Sequence, residues 1–173
     1  MPVTRMNHAV LYVRDADRTA AFYTDVLGFS RLDMNTAPLR GAVFMRAPGS
    51  SNDHDLGLFS VGEAAGPSTA GRQTVGLYHL AWEVDTLTEL ERLAQRLSAR
   101  GALKGASDHG TTKALYALDP DGLEFEVSWL VPAELITDDA LAGKAAIGLL
   151  DIGREKERYG ATTRGGVGVS VLA

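Results

Sequence analysis

HAVLYVRD, residues 8 to 15, has a counterpart in HLAWEVD, residues 79 to 85. Each stretch opens on a histidine, alternates as a short strand to a valine, and has an aspartate close behind. The two histidines are offset by 71 residues. Self-similarity at such a distance marks a duplicated structural unit and has to be read before anything else. A helix-period segment follows each copy: DADRTAAFYTDVLG, closed by Gly28, and TLTELERLAQRLSARG, closed by Gly101. In the second, Leu90, Leu93, Ala94 and Leu97 form the apolar stripe. Thr86 with Glu89 makes a capping box, and Gly101 supplies a left-handed cap. Strand-like runs come next, GAVFMRA and HDLGLFSV in the first half, KALYALD and GLEFEVSWL in the second.

The chain is thus expected to be α+β, two tandem βαβββ modules over roughly residues 4–62 and 74–131. Each module's sheet carries its helix on one face and leaves the other open, so that together they form a curved mixed sheet around a cleft. GEAAGPSTAGRQTVG between the halves, rich in Gly, Ser, Thr and Pro, reads as a linker loop. Residues 1–131 are expected to make one domain, and 132–173 a C-terminal extension. A helix is expected through DDALAGKAAIGLLDIGREKERYG, residues 138–160.

Side chains alternate along a strand, which sorts each strand into two faces. Ala9, Leu11 and Val13 take the helix side of the first strand, leaving His8 on the open side. Leu80, Trp82 and Val84 take the helix side of its counterpart, leaving His79, Ala81 and Glu83 on the other. In the last strand Leu123, Phe125, Val127 and Trp129 are apolar, and Glu124, Glu126 and Ser128 point the opposite way. Polar groups from three strands then converge on one cavity, which is what a metal site needs. Two neutral imidazoles and one carboxylate are the facial triad of non-haem Fe(II) oxygenases. Such a site has net charge of about +1 and about three open coordination positions. SSNDHDLGLF, residues 51–60, adds another histidine, His54, between two aspartates; taken alone it is ordinarily a solvated turn residue.

Composition bounds the alternatives. The chain has 173 residues, with 17 Lys+Arg against 22 Asp+Glu and a formal net charge of −5. No basic cluster is present, which argues against nucleic acid and anionic membranes as partners. No apolar stretch reaches the length of a membrane span, and MPVTRMNHAV lacks the apolar run of a secretion signal. There are no cysteines, which removes disulfides, thiolate ligands and thiol nucleophiles. A cytoplasmic protein fits this composition.

NHAVLYVRDADRTAAFYTDVLGF, LYHLAWEV and DPDGLEFEV together resemble the vicinal-oxygen-chelate superfamily of glyoxalases, antibiotic-resistance proteins, epimerases and type I extradiol dioxygenases. The resemblance runs from residue 4 to 131. It implies a metal on His8, His79 and Glu126, the last selected over Glu124 by the family pattern of DPDG, three residues, then Glu. Leu123 departs from that pattern, where Asn is commoner. His54 lies 46 residues after His8 and Glu126 lies 47 after His79, so the two are expected at equivalent places. Glyoxalases and epimerases usually have a carboxylate at the position of His54. Extradiol dioxygenases have a histidine there, in a stretch like HDLGLF, acting as an acid–base group outside the metal shell. SDHGTTKALYALDPDG resembles the same enzymes and implies that His109 and Tyr116 line the substrate pocket.

The resemblance therefore implies an extradiol ring-cleavage dioxygenase using Fe(II), with Mn(II) or another divalent ion as alternatives. Its partners would be a catechol-type aromatic and dioxygen, and by analogy the chain would form a homo-oligomer. The rivals are a metal-dependent lyase or isomerase with His54 as a fourth ligand, and a small-molecule-binding resistance protein. No motif distinguishes one catechol from another.

Overall fold

The structure is a computed structural model that describes residues 2–33 and 40–170. The chain divides into two compact units, residues 1–68 with 119–122, and residues 69–118 with 123–173. Each contains one copy of the repeat.

In the first unit β1 (Ala9–Val13) leads into α1 (Ala16–Leu27), followed by β2 (Ser30–Leu32), β3 (Ala42–Arg46) and β4 (Leu56–Ser60). The sheet order is β1-β4-β3-β2, with β1 parallel to β4 and the other pairs antiparallel. Asp15 starts α1 by accepting hydrogen bonds from the Asp17 and Arg18 amides, and Gly28, at φ 75°, ends it. That left-handed turn costs glycine nothing and other residues about 1 kcal/mol or more. Ala16, Ala20, Tyr23 and Val26 bury the inner face of α1, and Leu11, Val13, Met45, Leu56 and Leu58 are buried in the sheet. A fully buried side chain of this size contributes roughly 1.5–3 kcal/mol. On the other face of β1, Val10 and Tyr12 stay 52% and 77% exposed. The face assignment read from alternation is therefore the one the strand adopts.

The second unit repeats the plan. β5 (Leu80–Glu83), α2 (Leu87–Ala99), β6 (Leu103–Asp108), β7 (Thr112–Leu118) and β8 (Glu124–Leu130) follow in order. Thr86 accepts from the Glu89 amide at the start of α2, and Gly101 at φ 65° turns the chain away after it. Leu87, Leu90, Leu93 and Leu97 are the buried stripe. The sheet order is β5-β8-β7-β6, extended at the β6 edge by a short strand, β9 (Gly148–Leu149). β5 runs parallel to β8, and the remaining pairs are antiparallel. Phe125, Val127 and Trp129 are buried, as their side of β8 requires.

The single helix expected over 138–160 is not formed. Those residues give α3 (Asp138–Gly143), then β9, then α4 (Ile152–Tyr159). Gly143, Gly148 and Gly153 each weaken a continuous helix by about 1 kcal/mol relative to alanine. Thr137 and Asp151 each cap a fresh start, accepting from the Ala140 and Arg154 amides. The exposed edge of β6 offers Gly148 and Leu149 a hydrogen-bonding partner in place of helical bonds.

Beneath the second sheet, Lys113 on β7 is wholly buried. Its Nζ lies 2.5 Å from Asp108 and 2.8 Å from Glu155 of α4, itself only 3% exposed. Lys113→Ala should leave the Glu155 carboxylate buried and unpaired, and destabilise the fold by about 3–5 kcal/mol. A shift of the denaturant midpoint measures this. The double change Lys113→Met with Glu155→Leu should recover most of it, because no buried charge then remains.

Candidate metal and acid–base residues

In the second unit the parallel pairing sets Ala81 beside Glu126, and the antiparallel pairing sets Tyr116 opposite Glu126. His79, immediately before β5, brings its Nε2 to 3.1 Å from Glu126 Oε2. Its Nδ1 is buried without a hydrogen bond among the described residues, so the ring is oriented through Nε2 and by two flanking rings. Those are Tyr78, at 4.6 Å between centroids, and Tyr116, at 5.8 Å. The second carboxylate oxygen of Glu126 accepts from the Ser128 hydroxyl. The Tyr116 hydroxyl lies 3.0 Å from His109 Nε2. Burial, then the charge of Glu126, push the Tyr116 phenol up to about 12. It is therefore an O–H donor throughout the neutral range.

Glu124, the competing carboxylate, is already engaged: its Oε2 lies 2.6 Å from Lys104 Nζ. This pairing raises the Lys104 pKa, first through the hydrogen bond and then through the charge. Among the described residues Glu126 has no lysine or arginine ion-pair partner, and it faces the imidazole of His79 instead.

In the first unit, the question raised by a histidine between two aspartates resolves by dividing the aspartates' work. Asp55 is buried and holds the turn. Its carboxylate accepts from the Ala47 amide, the Ser50 hydroxyl and the Asn52 side-chain amide, all within 2.8 Å. Asn52 also donates to the Asn7 carbonyl, and the Ala9 amide donates to the Asp55 carbonyl, which draws the residues around His8 to the same turn. Asp53 is 72% exposed and lies 2.9 Å from His54 Nδ1. The His54 ring stands 4.3 Å from that of His8 and meets the edge of Phe44 at 5.1 Å. His8 Nδ1 pairs with Asn7 Oδ1 at 2.7 Å.

The strand register corrects one expectation. Gly57 pairs with Val10 as Glu126 pairs with Ala81, so Gly57, not His54, is the first unit's counterpart of Glu126. His54 sits in the bend before β4. Residue counting failed because the connection from the opening strand to the last one is two residues longer in the first unit: Val10 to Gly57 spans 47 positions and Ala81 to Glu126 spans 45. A Cβ at Gly57 would meet Phe44 and Val10, at 3.3 and 3.5 Å.

A divalent ion fits the His79–Glu126 pair. Two ligands at right angles and about 2.1 Å from a metal stand about 3 Å apart, the separation found here. Imidazole with carboxylate is also a donor set suited to Fe, Mn or Zn. Among the described residues no three or more His, Cys, Asp or Glu side chains gather as a preformed metal-holding group. One unit holds two of the three expected ligands, and His8 belongs to the other.

A model of the glyoxalase/bleomycin resistance protein/dioxygenase superfamily matches residues 5–127. The chain belongs to that superfamily. Among curated proteins it is 28% identical over 124 residues to a catechol-2,3-dioxygenase of Bacillus subtilis, covering 72% of this chain and 41% of that protein. It is 23% identical over 129 residues to a manganese-dependent 2,3-dihydroxybiphenyl 1,2-dioxygenase of Geobacillus genomosp. 3, covering 72% of this chain and 36% of that one. The chain thus spans about two fifths of the length of these relatives. Among solved structures, a glyoxylase/bleomycin resistance protein/dioxygenase domain from Frankia superposes with a TM-score of 0.61 at 23% identity. That likeness covers 73% of this chain and 92% of the other, and shows the fold. Among the described residues no helix is long and apolar enough to cross a membrane.

Proposed function

We propose that the chain is an extradiol ring-cleavage dioxygenase that opens a catechol next to its two hydroxyls, holding a divalent metal, Fe(II) or Mn(II), through His8, His79 and Glu126. The observation that carries the reading is the Glu126 environment: free of Lys104, 3.1 Å from His79 Nε2 and opposite Tyr116. When bound, the metal supplies Lewis acidity that lowers the catechol pKa, and open positions for ligands. The chain's own groups do the rest. His54, with Nδ1 turned to Asp53, has Nε2 left to take or return a proton, and an imidazole transfers in both directions near neutral pH. Tyr116 donates its O–H to the substrate, and His109 Nε2, 3.0 Å away, orients that hydroxyl.

The manganese and dihydroxybiphenyl in the name of one relative, and the catechol in the name of the other, support this choice within the superfamily. The absence of a carboxylate at Gly57 and at His54 speaks against a lyase or isomerase with a carboxylate base on the first unit's last strand. The proposed partners are a small aromatic and dioxygen. A homo-oligomer is part of the proposal by analogy, and sedimentation showing only an 18.4 kDa monomer would remove that part.

Catechol-dependent oxygen uptake after loading with Fe(II) or Mn(II) tests the activity; uptake with neither metal would overturn it. Glu124→Gln tests the ligand choice. It should lose the Lys104 pair yet keep its full complement of metal, whereas loss of metal would transfer the ligand role to Glu124.

A further inference from the structure

The C-terminal extension makes three separate contacts with the short turn that carries His109. β9 pairs with the end of β6, Leu149 opposite Ser107 and Gly148 opposite Asp108. Gly110, one residue past His109, lies against α3 so closely that a Cβ there would meet the Ala140 carbonyl oxygen at 2.1 Å and the Gly143 carbonyl carbon at 2.9 Å. Its φ of 71° also belongs to the region that favours glycine. Finally Glu155 of α4 reaches the same turn through Lys113, whose Nζ bridges to Asp108. Asp108 in turn accepts from the Gly110 amide at 2.8 Å and so fixes the backbone on both sides of His109.

The tail itself is anchored elsewhere in its own unit. Trp129 Nε1 donates to the Thr163 carbonyl, Lys156 pairs with Glu91 of α2, and the Thr88 amide and hydroxyl both donate to the Ala161 carbonyl. A segment held at these points and pressed on the turn from α3, β9 and α4 can set where the imidazole stands.

We infer that residues 132–170 act as a positioning element for the proposed active site, with α3, β9 and the Glu155–Lys113–Asp108 bridge fixing the turn that aims His109 at the Tyr116 hydroxyl. The role of His109 toward substrate rests on the dioxygenase reading; the positioning of its ring by the tail does not. The extension thereby tunes how the substrate's neighbouring donor is held, without touching substrate itself.

Two tail variants test this without altering His109 or Tyr116. Gly143→Val forces α3 off Gly110, and Leu149→Pro removes the β9 amide, at a side chain 95% exposed. The readout is the pair of His109 ring resonances in the chelator-treated full chain, assigned with His109→Gln. Ile147→Ser, at an exposed tail position, is the control. We expect the His109 signals to shift or broaden in both variants and not in the control, with the His79 signals unmoved. In the metal-loaded protein, kcat/KM for catechol should fall about 10- to 100-fold, the scale of a displacement of about 1 Å. His109 resonances that superimpose on those of the unaltered protein in folded Gly143→Val and Leu149→Pro chains would overturn the inference. If the unaltered chain cleaves no catechol, the dioxygenase reading fails and the resonances still decide the positioning role. Should Gly143→Val fail to fold, Leu149→Pro alone decides it.

Discussion

Glu126→Ala is expected to purify folded and to lose nearly all bound metal and all ring-cleaving activity. The carboxylate sits 3.1 Å from His79 and supplies the one negative charge of the proposed ligand set, so its loss removes a ligand and all of that set's charge compensation together. His79→Ala and His8→Ala should do the same, since each removes one donor from a set of three. Metal analysis after dialysis against a weak chelator reads the result directly. A Glu126→Ala protein with a full metal complement and normal turnover would remove Glu126 from the ligand set. The fold should tolerate the change, because Glu126 faces away from the core formed by Phe125, Val127 and Trp129.

His54→Gln should have the next largest effect and fall on a different quantity. A glycine holds the register position of Glu126 and His54 lies before β4, and the proposal gives His54 proton transfer rather than metal binding. The variant should bind metal almost normally and turn over about 10²–10⁴-fold more slowly, the usual range for a positioned acid–base group. Asp53→Asn should give a smaller loss in the same direction, since it weakens the partner of Nδ1 and leaves Nε2 in place. Lost metal in His54→Gln would make His54 a ligand and favour the lyase.

Much of the fold could be read because duplication and alternation are strong signals. HAVLYVRD and HLAWEVD gave both opening strands and their faces, and the capped apolar stripes gave both helices. The strands Ser30–Leu32 and Leu103–Asp108 had no apolar alternation to announce them; SRL is too short and LKGASD is broken by a glycine and an irregular register. The tail misled because its helical composition outweighed its glycines, and because the attraction of an open β6 edge cannot be seen along the chain. Within the candidate site, the His79–Glu126 and His109–Tyr116 pairs follow from strand register, to which residue spacing is a fair guide. Equivalence between His54 and Glu126 did not follow, since a slip in loop length moves a residue off the strand altogether. Nothing in the residues around Asp121 suggested its task. Its carboxylate accepts from the Arg14 amide and the Arg14 and Arg18 guanidinium groups, which makes the DPDG turn part of the first unit.

Insertion of dioxygen into a catechol is the activity proposed for this chain. The direct measurement is to load the protein with Fe(II) without oxygen, add catechol, admit oxygen-18 gas, and weigh the yellow ring-opened product by mass spectrometry. One dioxygen should be consumed per product, with both labelled atoms retained apart from exchange with water. No oxygen uptake across a panel of catechols, with metal bound, would contradict it.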